Sequence, residues 1–166
     1  MEKNKTLKIL HLHVDYQWYD MVKSGIKTEE YRINKPYWVE HLTEIKHGML
    51  LFSYRNGYEP IPFKHYDAVM YYRGYSKERM LLECKGISYD TGNTEWGAPK
   101  DDKVFIIKLG KETSIPELLK ESLGEELCKY CPFTLGEINK RCDSVCEGLY
   151  CDMAIEYYIQ DKDLKI

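Results

Sequence analysis

The stretch Ser24-Gly25-Ile26-Lys27-Thr28-Glu29-Glu30-Tyr31-Arg32 holds the densest chemistry in the chain, in the pattern Gly-x-Lys-x-x-Glu-x-Arg. Side chains alternate along a strand, so a strand starting near Lys27 puts Thr28, Glu30 and Arg32 on one face, a row with nothing apolar in it. Glu30 and Arg32 can be held as an ion pair, which leaves Lys27, just past a glycine turn, as the mobile cation at the mouth of a cleft. Two kinds of work suit such a set. A partly desolvated lysine serves as a base or partners a nucleophile, with Lys27 and Glu30 as the acid–base pair. Alternatively, Lys27 and Arg32 bind an anionic group while Glu30 accepts hydrogen bonds from a base or ribose. Ordinary charge pairs on a surface strand use the same residue types.

A second group of reactive side chains lies near the C-terminus, where five of the six cysteines fall as Cys128-x2-Cys131-x10-Cys142-x3-Cys146-x4-Cys151. The spacing of Cys128 and Cys131 is that of a zinc knuckle, in which two thiolates from one tight turn reach the same ion. Two of Cys142, Cys146 and Cys151 would complete a tetrahedral structural zinc site, four of the five cysteines sufficing. Disulfides, free buried thiols and an iron–sulfur cluster are the alternatives. A closed site of four thiolates has no open position for metal catalysis. Lone Cys84 suits core packing, and His11-x-His13 puts two imidazoles on one strand face, where they could ligate a metal.

These residues need elements to position them. Leu7 to Val14 alternates as a strand, with Leu10, Leu12 and Val14 on one face. Asp15 is placed to cap a short helix with the stripe Trp18, Met21 and Val22, and Gly25 to end it in a left-handed turn. The motif strand, roughly Lys27 to Ile33, comes next. Lys35-Pro36 opens a second helix bearing Tyr37, Trp38, His41, Leu42 and Ile45 on one side. Residues 46–66 suggest a hairpin or loop with a strand near Met49 to Tyr54. Further strands are expected at Ala68–Arg73, Arg79–Tyr89 and Lys103–Leu109. The fold class is therefore α+β: a curved barrel of five or six strands with two short helices over residues 1–110. Residues 111–166 form a helical, cysteine-rich extension, with a capping box at Ser114 to Glu117 and a last helix from about Tyr150 to Ile159.

Composition narrows the partners. The 166 residues, with 31% charged and 43% hydrophobic side chains, suit one folded domain with a small appendage. No apolar run reaches the roughly 20 residues of a membrane span, and no apolar h-region follows the start, so a cytoplasmic location without membrane contact is expected. The net charge of −3 conceals an asymmetry: 12 acidic against 6 basic side chains from residue 112 onward leave 15 against 18 in residues 1–111. In that mildly basic part, Lys23, Lys27, Arg32, Lys35, Arg55 and Arg73 alternate with many of the 15 tyrosines and with Trp38. Aromatic faces beside cations are what nucleotides and single-stranded nucleic acids use, although the same tyrosines also suit the core and rim of a small β-rich fold. Trp38, Arg73 and Tyr75 are candidates to face a ligand, and Glu83 and Glu95 are further carboxylates able to act as acids or bases.

The motif, preceded by a strand and a Trp18-containing helix, resembles the ASCH domain of the PUA-like superfamily. The run Tyr66 to Tyr75, the strand through Glu83 to Ile87 and the closing strand Val104 to Leu109 agree with it, over about residues 6–110. Lys35-Pro36-Tyr37-Trp38 and Glu95-Trp96-Gly97-Ala98-Pro99 are similar to small ASCH proteins of phages and gut bacteria. The resemblance implies a PUA-like barrel whose cleft binds RNA or a modified nucleotide, the ligand-binding residues being Lys27, Thr28, Glu30, Arg32, Trp38, Arg73 and Tyr75. It also implies a hydrolase alternative, an amidohydrolase of acylated cytidine or a ribonuclease, with Lys27 and Glu30 catalytic. The amidohydrolase threonine, two residues before the motif arginine, is replaced here by Glu30, so that alternative requires Glu30 as general base. A third expectation is a phage or host protein-interaction module docking a protein partner through the cysteine-rich extension.

Overall fold

A computed structural model of the chain describes residues 7–123 and 151–162. The described residues fall into two units, Lys8–Glu112 and a second comprising Leu7 with the residues from Thr113 onward. The first is a curled sheet of five strands in the order β1-β3-β4-β5-β2, a half-barrel with short helices: β1 Ile9–Val14, β2 Glu29–Arg32, β3 Ala68–Arg73, β4 Arg79–Thr91 and β5 Lys103–Glu112. β1 and β3 run parallel and every other pair is antiparallel. The long strand β4 bends at register shifts on either side of Cys84, where Gly86 takes φ +126°. Such bulges sharpen local twist and let a sheet coil. The edge strands approach each other through Arg32 of β2, whose Nη2 donates to the His13 carbonyl of β1 at 3.1 Å.

Alternation behaves as expected in β1, where Leu10, Leu12 and Val14 are buried and His11 and His13 exposed. With Val69, Tyr71, Met80, Leu82, Phe105 and Ile107 they form the main core. Helix α1 (Tyr16–Lys23) presents Tyr19 to it as its one buried residue, Trp18, Met21 and Val22 being only partly covered. Helix α2 (Pro36–Leu42) has Pro36 at its first turn and buries Val39 and Leu42, leaving Tyr37 exposed. The strand expected near Met49 to Tyr54 is instead a four-residue helix, α3 (Phe52–Arg55), with exposed Leu51 and Phe52. Its neighbourhood offers only one isolated bridge, Thr43 with Phe63, so no ladder exists to hold residues 49–54 extended.

In the second unit, α4 (Ile115–Leu123) and α5 (Cys151–Asp161) pack through Leu119, Leu123, Ala154, Ile155 and Tyr158 around Leu7. The Ser114 hydroxyl accepts from the Glu117 N–H at 3.3 Å, half of the expected capping box, while the Glu117 carboxylate turns to the Thr113 hydroxyl. Cys128, Cys131, Cys142 and Cys146 lie outside the described residues, and Cys151 opens α5. Among the described residues no helix is long and apolar enough to cross a membrane.

Candidate functional site

Gly25 ends α1 with φ +78°, a left-handed conformation that glycine adopts without steric cost. The chain folds back there, with the N–H groups of Ile26 and Lys27 both donating to the Met21 carbonyl at 3.0 and 3.1 Å. Lys27 is thereby aimed inward. β2 then pairs with β5 in a register that sets Glu30 opposite Ile107 and Arg32 opposite Phe105, so Glu30 enters the interior beside the main core. Tyr31 points the other way, into a small cluster with Ala98, Val104 and Ile106.

Lys27 and Glu30 are 2% and 3% exposed, which makes them structural charges as well as chemical ones. Lys27 Nζ lies 2.9 Å from Glu30 Oε2, donates to the Trp96 carbonyl at 2.9 Å and sits 4.6 Å from the Trp18 ring centroid. The expectation of a mobile cation is corrected: a buried ammonium must be paired, and this one is held by a carboxylate, a carbonyl and aromatic faces. Glu30 in turn accepts from Tyr71 Oη at 2.6 Å and pairs with Arg32 Nη1 through its other oxygen, the ion pair anticipated along the strand. Burial, and then the Glu30 charge, push the Tyr71 phenol far above its ordinary value, so Tyr71 is a permanent donor to Glu30. Tyr31, buried too, is pushed up to about 12; it donates to Glu29 at 2.8 Å and accepts from the Asn93 N–H.

Arg32 spends three of its five N–H donors on Glu30, the Tyr31 carbonyl and the His13 carbonyl, and its guanidinium lies 4.9 Å from the Trp38 ring centroid. Two N–H donors are left over. Its side chain forms one wall of a cleft of about 190 Å³ shared with His13, Asp15, Trp18, Trp96 and Gly97. Asp15 stands at the N-cap position of α1 but makes no capping hydrogen bond with its side chain, contrary to the sequence expectation, and it lines the cleft instead. The cleft therefore offers an arginine donor edge, a carboxylate acceptor and two indoles.

Several candidates lie elsewhere. Thr28 is exposed, its carbonyl taken by the Leu109 N–H, and it borders a separate hollow with Lys23 and Gly25. Arg73 turns to α1, bonding both Asp20 oxygens at 3.0 Å with its guanidinium 4.4 Å from the Tyr16 ring centroid, and that bond holds the Asp20 carboxyl below its usual range. Trp38 contacts the Arg32 guanidinium but does not itself line the cleft. Tyr75 is 99% exposed beside His13. Glu83 is tied to Lys85 and Lys111, which lower its pKa, and Glu95 is exposed on the short turn Thr94–Trp96. The ring nitrogens of His11 and His13 contact the Tyr72 hydroxyl and the Gly74 carbonyl, and among the described residues no group of three metal-ligating side chains occurs.

The motif did not disclose Tyr71, Asp15, Trp18 or the Trp96 carbonyl as site groups. Tyr71 sits 41 residues from Glu30, and only the curl of the sheet joins them. Trp96 falls in the run Glu95 to Pro99, which was part of the family resemblance but gave Trp96 no role. No family model, no curated protein and no solved structure matches the chain.

Proposed function

We propose that residues 8–112 form an ASCH-type, PUA-like domain that binds one base of RNA, or of a modified nucleotide, in the cleft beside the Lys27–Glu30–Arg32 cluster. The observation that carries this is that Arg32, with two uncommitted N–H donors, lines one cleft together with the Asp15 carboxylate and the Trp18 and Trp96 indoles. A nucleobase edge presents donors and acceptors together and its faces stack on aromatic rings, so it matches such a lining. Two cations and two carboxylates around the cleft balance each other, which suits a neutral dipolar edge better than a bare phosphate. The volume is below the ~300–1,000 Å³ of a drug-sized site, and fits one base or nucleoside.

Hydrolysis is the weaker alternative on this geometry. Both Glu30 oxygens are already engaged by Lys27, Tyr71 and Arg32, which leaves neither of them free to face a substrate. Titration of the four nucleosides and their monophosphates tests binding, with Arg32→Ala and Asp15→Asn each expected to weaken it about 10-fold or more through loss of a charged hydrogen bond. Affinities equal to wild type in both variants would remove the cleft from function. Turnover of an acylated cytidine or of RNA above a Lys27→Ala control would make the cleft an active site. A structural zinc on four of Cys128, Cys131, Cys142, Cys146 and Cys151 rests on spacing alone; metal analysis of the purified chain should return about one equivalent, and less than half an equivalent would count against it.

A further inference from the structure

The cleft does not end at His13. On the outer face of β1 and β3, four aromatic rings stand in a continuous stack. His11 and Tyr72 have ring centroids 5.8 Å apart at 23°, Tyr72 and His13 4.5 Å apart at 11°, and His13 and Tyr75 5.8 Å apart at 27°. Sheet register explains the order: parallel pairing sets His13 beside Tyr72, and Gly74, with φ +56°, turns the chain so that Tyr75 comes back onto the row. Hydrogen bonds fix the first three rings, His11 Nδ1 with Tyr72 Oη and His13 Nδ1 with the Gly74 carbonyl, both at 2.9 Å. Tyr75 finishes the stack in full solvent, with 99% of its surface exposed.

The core does not need this arrangement, since the apolar faces of β1 and β3 point the other way. An ordered stack that ends in an exposed ring has an obvious use. Each base of a single strand stacks on an aromatic ring with an energy of ~1–3 kcal/mol, largely independent of sequence. A cation is at hand as well, because exposed Arg79 of β4 pairs in register with Tyr72 and can meet the backbone phosphates. His13 belongs to both features, lining the cleft and forming the third ring of the stack.

We infer that the ligand is a single-stranded oligonucleotide, one base of which enters the Arg32–Asp15 cleft while its neighbour stacks on the Tyr75 end of the ring ladder. This rests on base binding in the cleft and adds that a second nucleotide is recognised outside it. Duplexes are excluded, since their bases are already stacked on one another.

The test titrates each of the four 5′-mononucleotides and the matching single-stranded RNA homotetramers against the full chain and against Tyr75→Ala, Tyr75→Trp and Arg79→Ala. The tetramer of the preferred base should bind at least about 10-fold more tightly than its mononucleotide. Tyr75→Ala should weaken the tetramer by about 5- to 150-fold, the range that loss of one stacked base gives, and leave the mononucleotide unchanged. Tyr75→Trp should keep the gain, and Arg79→Ala should lower tetramer affinity and the steepness of its salt dependence. Because Tyr75 is exposed, its replacement leaves the fold intact. If wild type binds a mononucleotide and the tetramer equally well, or if Tyr75→Ala affects both or neither, the ladder is not a binding platform although the cleft still is. If wild type binds neither, base recognition in the cleft falls together with it.

Discussion

Glu30 occupies the position on which the other site residues depend. It is a buried carboxylate that receives an ammonium, a guanidinium and a phenol, and among the described residues no buried side-chain polar atom lacks a hydrogen-bond partner. Removing one member of a buried ion pair strands the other charge, at a cost of ~3–5 kcal/mol, whereas removing a neutral donor costs ~1–3 kcal/mol. Glu30→Gln, which leaves Lys27 and Arg32 both positive in a covered site, should therefore destabilise more than Tyr71→Phe, which leaves Glu30 with its two cations. Urea unfolding of the two variants measures this, and the reverse order would mean that the phenol rather than the ion pairs holds Glu30. The Glu30–Arg32 pair was legible from their two-residue spacing on a strand. The depth of Lys27 was not, because a long side chain after a glycine turn reads the same whether it curls inward or out into water.

At the level of elements, two left-handed glycines bracket the site and should behave differently. Gly25, at φ +78°, has open space where a Cβ would stand, while at Gly97, with φ +93°, that Cβ would lie 2.8 Å from Cζ2 of Trp18. A left-handed L-residue costs ~1–2 kcal/mol by itself. Gly25→Ala should cost about that and leave ligand affinity unchanged. Gly97→Ala should cost more and also lose affinity, since the displaced Trp18 ring lines the cleft and the neighbouring Trp96 carbonyl holds Lys27. Paired unfolding and nucleotide titrations distinguish the two, and intact affinity in Gly97→Ala would exclude the Trp18 wall from recognition. Most elements were readable from alternation and turn residues: β1, β3 and the start of α2 lie where their patterns put them. The segment 49–54 misled because Met49, Leu50, Leu51 and Phe52 form a short apolar run like that of a strand, yet a strand also needs a partner ladder, and the sheet offers none there.

For the molecule as a whole, the buried phenols set an alkaline limit. Burial raises Tyr31 from 10.0 to about 12 and Tyr71 further, so both ionise more readily in the unfolded chain than in the fold. The stability they contribute is complete below about pH 10 and declines as pH climbs through the folded values. Thermal melts should fall progressively between about pH 10 and 12, and Tyr31→Phe should flatten that fall; an identical slope in the variant would mean that other groups govern alkaline unfolding. The charge asymmetry belongs to this scale too. An overall −3 disguises a mildly basic residue range 1–111 that carries the cleft and the ring ladder.

Sequence alone determined what depends on neighbours along the chain: the period-2 strands, the helix-ending Gly25, the proline-opened α2, the strand-mate pairing of Glu30 with Arg32, and the separation of a basic, tyrosine-rich part from an acidic, cysteine-bearing one. Tertiary structure decided what depends on curling the sheet. Bringing β3 over β2 set Tyr71 against Glu30 across 41 residues, and closing the turn at Gly97 placed a carbonyl on Lys27. The parallel register of β1 and β3 laid four rings into one stack. Each of these contacts joins residues far apart in the chain, and local pattern holds no information about which distant face a side chain will meet.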